Sequence, residues 1–408
     1  MLNWITDQLG TASFYEAEAA AMPPNVALID VRELMDKEGN PASVIRQKVA
    51  SVVEALGKGQ QVLICCDKGI SRSNSIALGT LLATGIPYDE ALHLFHERGL
   101  KDMNLALLHQ MRSLFAPARA DHTADGILVT GASGFIGRRL TAKLADTAQL
   151  LCPNHAELDL ASDLPQVDAY VNRHRIKTVL HLAHPRARNN TSTLGEALQM
   201  TKNLLEVCRL NGCHLIYIST IGIFSGYESD KPFYPGKLPP KPQGVFAETK
   251  FLCEQLILHY ASSYNVEVAI LRPSQVYGIG MDRASPIMKF FAAAKTNSKI
   301  VTHTFRNGEP VFDFVYLDDF VDGLARCIDR NHHGVLNLGS GEVCSTREVA
   351  EKIRAICSSH SDIELLHVNS YGYNVVPDPA EARTALEWKA TKTIDQGLRE
   401  IWEWCHEN

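Results

Sequence analysis

No apolar run in the chain approaches the roughly 20 residues that a membrane-spanning helix needs. The first residues, Met1-Leu2-Asn3-Trp4-Ile5-Thr6-Asp7, lack the basic start and apolar core of a secretion signal. There are 10 cysteines but no Cys-x-x-Cys pair and no dense run of them, which excludes common zinc modules and a disulfide scaffold. No metal site is expected. Positive charge is not in surplus: 40 Lys and Arg face 46 Asp and Glu, a net charge of −6, leaving no electrostatic case for nucleic acid or an anionic membrane. Internal repeats and low-complexity tracts are also missing. The scattered cysteines fit a reducing cytoplasm.

What remains is a globular composition, 45% hydrophobic and 21% charged, over 408 residues, enough for two or three domains. The best boundary is 116–125, small, polar and without apolar periodicity. It separates a domain at 1–115 from one at 126–408. In the first, Val26-Ala27-Leu28-Ile29 and the segment at Val62 read as strands. About Ala42 to Leu56, Ser75 to Leu82 and Asp89 to Glu97 read as helices. In the second, strands at Ile127, Thr178, His214 and Val266 alternate with helical stretches, which predicts an α/β fold with a parallel, doubly wound sheet.

Two loops carry chemistry. The first follows the strand at Val62 and runs Cys66-Asp67-Lys68-Gly69-Ile70-Ser71-Arg72-Ser73 into a helix. Backbone N–H groups of Asp67, Lys68, Gly69, Ile70 and Ser71, with the helix N-terminus, suit a phosphate dianion. Arg72 adds a two-pronged donor and the same field favours a Cys66 thiolate that attacks phosphorus. Ser73 can donate to the thiolate as it leaves. The second loop, Gly131-Ala132-Ser133-Gly134-Phe135-Ile136-Gly137, follows the strand at Ile127 and lets a pyrophosphate approach the backbone at a helix start.

The first loop resembles that of the cysteine-dependent dual-specificity phosphatases, His-Cys-x-x-Gly-x-Ser-Arg-Ser, at Cys66, Gly69, Ser71, Arg72 and Ser73. The resemblance implies a small phosphatase-type α/β domain and a phosphocysteine mechanism. The family's histidine is Cys65 here. The leaving-group acid falls to Asp36, with Asp30 its rival.

The second region resembles the extended short-chain dehydrogenase/reductase family, the NAD-dependent epimerase/dehydratase group. The resemblance rests on the glycine loop, Leu182-Ala183, Ser219-Thr220, Lys250, Leu271-Arg272-Pro273-Ser274, Asp313-Phe314-Val315 and Leu336-Asn337-Leu338-Gly339. It covers essentially 126–408 and implies a Rossmann-type sheet with a C-terminal substrate part. It also implies NAD or NADP bound by Gly131, Ser133, Gly134, Phe135, Ile136, Gly137, Arg138, Leu160, Ala183, Lys250 and Ser274. No acid stands where NAD's ribose is usually held, and Arg138 and Arg139 follow the loop, which favours NADP slightly.

Thr220 and Lys250 match the family's catalytic Ser/Thr and Lys, but the catalytic Tyr is Phe246. A phenyl ring moves no proton. Another residue (Glu248, Tyr227 or Cys253), a substrate group or water supplies it, or the site binds without turnover. Phe312 replaces an Arg that often precedes the Asp-Phe-Val segment. The expected whole is a bifunctional enzyme acting on a phosphorylated sugar or a nucleotide sugar. The alternative is a phosphoprotein phosphatase regulated by an inactive nucleotide-sensing domain. Helix 246–260 offers a surface for a homodimer.

Overall fold

A computed structural model describes residues 2–20, 22–37, 39–100, 103–115, 126–162, 164–185, 190–236 and 238–407. The expected boundary at 116–125 lies outside the described residues. The chain forms two compact units, the first taking in Leu158–Arg175 as well as the N-terminal residues.

The first unit contains β1 (Asn3–Trp4), β2 (Leu9–Ser13), α1 (Phe14–Ala19), β3 (Val26–Asp30), α2 (Ala42–Gly57), β4 (Gln61–Cys66), α3 (Arg72–Ala83), α4 (Tyr88–Glu97), α5 (Leu105–Phe115) and α7 (Leu164–Arg173). Its four-stranded sheet has the order β1-β2-β4-β3, with β4 parallel to both β2 and β3. Val62, Leu63, Ile64, Cys65 and Cys66 are all buried, as a central strand requires. Helix α3 is buried from Ser73 through Leu82 because its small residues admit close neighbours. At Gly79 a Cβ would lie 2.8 Å from the Met111 sulfur of α5.

The second unit opens with β5 (Gly126–Thr130), α6 (Phe135–Leu144) and β6 (Gln149–Leu151). It resumes with β7 (Ile176–His181), α8 (Ser192–Asn211), β8 (His214–Ile218), α9 (Val245–Tyr264) and β9 (Val268–Pro273). With β13 (Gly334–Leu338) these strands form a six-stranded parallel sheet of order β13-β9-β8-β7-β5-β6. The order turns back at β5, between β6 and β7, so the crevice for a ligand opens at the carboxyl ends there. One face packs Val129, Leu180, Ile216 and Leu271 against Leu140 and Leu144 of α6 and Phe320 and Leu324 of α11 (Leu317–Asp329).

The C-terminal part holds β10 (Gln275–Tyr277), α10 (Pro286–Lys295), β11 (Ile300–Phe305), β12 (Val311–Tyr316), β14 (Val343–Ser345), α12 (Thr346–Ile356), β15 (Ile363–Val368), α13 (Ala380–Ala385) and α14 (Ile394–Glu407). Sheet β10-β12-β14 and the pair β11-β15 stand apart from the main sheet. Phe290, Phe291, Ile353 and Leu398 form their shared core. No helix among the described residues is long and apolar enough to cross a membrane.

Candidate functional site

In the first unit, β4 delivers Cys66 to the carboxyl edge of the sheet and α3 begins at Arg72. The loop between them must turn sharply against β2. Gly69 allows it, with φ at +68° and no room for a Cβ, which would lie 2.3 Å from the Ala12 carbonyl carbon. The turn aims the Gly69 N–H at the Cys66 sulfur, 3.2 Å away, and Ser73 Oγ lies 3.4 Å from it. Burial raises the thiol's pKa, but the bonds from Ser73, Ile70 and Gly69 outweigh it and hold the value below that of an ordinary thiol. Cys65 points into the packed interior, where burial pushes its thiol up to about 12.

Cys66, Asp67, Lys68, Ile70, Ser71 and Arg72 share one cavity of about 570 Å³ with Asp36, Met103 and Asn104. Asp36 accepts a hydrogen bond from Ser71 Oγ at 2.5 Å, and the Asn104 side chain donates to the Asp36 carbonyl at 3.0 Å. Asp30 is placed differently: Arg32 grips both its oxygens, Nε donating to Oδ1 at 3.1 Å and Nη2 to Oδ2 at 2.8 Å, and lowers its pKa. Arg72 Nη1 donates to the carbonyls of Arg32 and Leu34, each at 3.1 Å, while Nη2 donates to Asp67.

In the second unit, Gly131 takes φ +71°, and a Cβ there would lie 2.8 Å from the Ala183 nitrogen. A Cβ on Gly137 would lie 2.3 Å from the Gly131 oxygen. Gly134 caps α6, and Ser133 and Gly134 are exposed while Phe135 and Ile136 pack on the core. Arg138 is exposed at the start of α6. Arg139 is not available to a ligand in the same way, because Asp318 holds it through both oxygens at 2.5 and 2.8 Å.

Lys250 is buried, and its ammonium donates to the Ile218 carbonyl at 2.6 Å at the end of β8. Thr220 Oγ1 accepts from Gly222 N at 3.0 Å, which leaves its own proton to donate. Phe246, one turn before Lys250 on α9, packs against His184 with ring centroids 5.2 Å apart. His181 lies behind, its Nδ1 2.8 Å from Thr130 Oγ1. Burial first, then the charge of Lys250, drives its pKa down to about 3.

A family model matches residues 127–339, more than half of the chain, with the description NAD dependent epimerase/dehydratase family. The chain belongs to that family. A reductase of Escherichia coli, dTDP-4-dehydro-6-deoxyglucose reductase, is 26% identical over 320 residues, 69% of this chain and 98% of the relative. UDP-glucuronic acid decarboxylase 1 of Danio rerio is 23% identical, covering 67% of this chain and 70% of its own. Among solved structures, dTDP-glucose 4,6-dehydratase from Bacillus anthracis in complex with NAD superposes with a TM-score of 0.62. That match is at 18% identity and covers 70% of this chain and 97% of the other. UDP-glucose 4-epimerase from Thermotoga maritima gives 0.60 at 22% identity, covering 69% and 99%. These likenesses bear out the Rossmann-like fold of the second region.

As an epimerase/dehydratase family member, the chain takes a nicotinamide dinucleotide, NAD or NADP, as cofactor. The glycine loop fits it: three glycines, where a Cβ would press on the neighbouring backbone, let the loop turn tightly into α6 and leave its N–H groups for a pyrophosphate. The proton-source candidates fare less well. Glu248 is exposed and two residues from Phe246, hence on another face of α9. Cys253 is buried between helices, accepting from Thr201 Oγ1 at 3.4 Å. Tyr227 gives its hydroxyl to the Pro239 carbonyl at 2.8 Å. Leu160 is buried in the stretch that folds with the first unit, and the Ser274 hydroxyl is buried without a hydrogen-bond partner among the described residues.

Sequence reasoning missed His184. Its one available signal was its place directly after Leu182-Ala183 at the end of β7, the edge where ligands bind. It also missed an apolar cavity of about 550 Å³ in the C-terminal part, lined by Lys289, Phe290, Lys299, His303, Phe312 and Tyr373. There Phe312 and Tyr373 stack with centroids 5.5 Å apart.

Proposed function

We propose that the chain is a bifunctional enzyme of sugar or nucleotide-sugar metabolism, a cysteine-dependent phosphatase at 1–115 joined through 116–125 to an NAD(P)-dependent epimerase/dehydratase/reductase-type domain at 126–408. The observation that carries the phosphatase half is the Cys66 thiol, lowered by loop donors and sharing a cavity with Arg72 and Asp36. The thiolate attacks phosphorus and forms an S–P bond as the P–O ester bond breaks. Asp36 gives its proton to the leaving oxygen, then takes one from the water that cleaves the S–P bond. Ser73 stabilises the departing thiolate. Asp36 is the better acid because it faces the cavity, whereas Asp30 is held by Arg32.

In the second half, Gly131, Ser133, Gly134 and Gly137 would hold the pyrophosphate and Lys250 the nicotinamide ribose, the bound cofactor accepting or returning hydride. Exposed Arg138 favours a 2′-phosphate, hence NADP. The relatives named for dTDP- and UDP-sugars suggest a nucleotide sugar. The cavity at Phe312 and Tyr373 suits its base, with Lys289 and Lys299 near the diphosphate.

Phe246 favours a second reading, a phosphoprotein phosphatase under a nucleotide-sensing domain. The two are separated by assaying wild type and Cys66→Ser on sugar phosphates and on phosphopeptides. Sugar-phosphate hydrolysis lost in Cys66→Ser supports the metabolic enzyme. Hydrolysis confined to phosphopeptides supports the regulator, and hydrolysis unchanged in Cys66→Ser refutes both.

A further inference from the structure

We propose that His184 is the acid/base of the dinucleotide site, moving the proton at the substrate oxygen that the hydroxyl absent from position 246 cannot move. This rests on the reading of the second unit as a working nicotinamide enzyme.

Four observations converge on it. The His184 ring lies against Phe246, centroids 5.2 Å apart and planes at 55°, so an imidazole stands beside the ring that lacks a hydroxyl. It follows the end of β7, at the carboxyl edge where the crevice of a parallel sheet receives its ligand. Its Nδ1 is 2.9 Å from the Pro185 carbonyl oxygen, which only accepts. Nδ1 therefore carries the proton of the neutral ring, and Nε2 is the basic nitrogen.

The fourth observation is what surrounds it. His181, three residues earlier, has a pKa of about 3 and is bound to Thr130, so it takes no proton near neutrality. Lys250 is a cation bonded to the Ile218 carbonyl. Thr220 can orient an oxygen but is a poor base. Of these groups, that leaves the His184 imidazole to accept and return a proton.

In the oxidative direction the substrate O–H bond breaks and its proton goes to Nε2 of His184. A nicotinamide dinucleotide held by the glycine loop would supply the hydride acceptor that balances this proton transfer as the C=O bond forms. Reduction reverses each transfer, and the imidazolium returns its proton to oxygen.

The test is a proton NMR titration of the full chain, with the His184 ring signals assigned by their loss in His184→Asn. It is run with saturating NAD+ and NADH, and with NADP+ and NADPH. A ring facing the nicotinamide feels the positive charge that only the oxidised form bears. Its apparent pKa should be about one unit lower with the oxidised cofactor. Equal values under saturation overturn the proposal. If no dinucleotide perturbs any signal, the cofactor reading itself fails, and the inference falls with it.

Turnover of UDP-glucuronate or dTDP-glucose gives a second readout. His184→Asn should lose about 100-fold in kcat along with the imidazole limb of the pH profile. His184→Ala combined with Phe246→Tyr should recover turnover with a different limb. Full activity in His184→Asn overturns the proposal.

Discussion

Tyr88 donates its hydroxyl to Asp168 at 2.7 Å, joining two residues 80 positions apart in a buried network. Arg112 reaches the same carboxylate at 3.2 Å, and Asn172 donates to it at 3.1 Å. Asp168 is 1% exposed, so a charge that water would otherwise solvate is solvated here by α4, α5 and its own helix α7.

Asp168→Ala should destabilise the first unit by about 3–5 kcal/mol, because it leaves the Arg112 charge buried beside an empty place. Tyr88→Phe, losing one hydrogen bond, should cost about 1–2 kcal/mol. Urea denaturation of the full chain, followed by a first-unit probe, checks the ranking. Equal losses would refute the network.

Iodoacetamide should label Cys66 at a lower pH than an ordinary thiol, whose midpoint is about 8.5, because the loop donors favour its thiolate. Cys65, pushed up to about 12, should stay unlabelled across that range. Cys152, at the surface but with its thiol pushed up by partial burial, should label at a higher pH than Cys66. Mass spectrometry of the labelled peptides reads all three.

Asp67 engages the arm of Arg72 that would hold a phosphate oxygen. Asp67→Asn should tighten binding of tungstate, a phosphate mimic, by roughly fivefold. The gain stays modest because Asp67 is half exposed and its pull is screened. Competition against p-nitrophenyl phosphate hydrolysis measures it, and weaker binding would contradict the contact.

His181 gives the second unit an acid-sensitive term. Its folded pKa, about 3, lies below the unfolded value near 6.5, so between them the unfolded chain binds more protons. The contribution is complete above pH 6.5 and drains by about 1.4 kcal/mol per unit as the pH falls toward 3. In His181→Asn the slope of stability between pH 4 and 6 should drop by one proton.

The parts legible in the sequence were those whose residues are neighbours along the chain. Cys66 through Ser73 is a strand, a turn and a helix in succession, so its cavity-lining set could be read directly. Helix α2 likewise spans Ala42–Gly57, one residue from its apolar spacing. The pairing of Arg72 with Asp67 was not legible, since both residues equally suggested phosphate contacts. Nor was the destination of α7, where Val167 and Val171 announce a buried face but not its partner. His184 was overlooked because its meaning comes from Phe246, 62 positions on, which only the packing of α9 brings alongside.

The placement of Leu158–Arg175 sets an order of events during synthesis. Translation delivers β1 through α5 first, at about 5–20 residues per second. Yet those residues cannot complete their network until Asp168 has cleared the exit tunnel, by which time β5, α6 and β6 have also been made. The unit that begins first on the ribosome must therefore wait, with Arg112 and Tyr88 uncovered, for a helix encoded beyond the glycine loop.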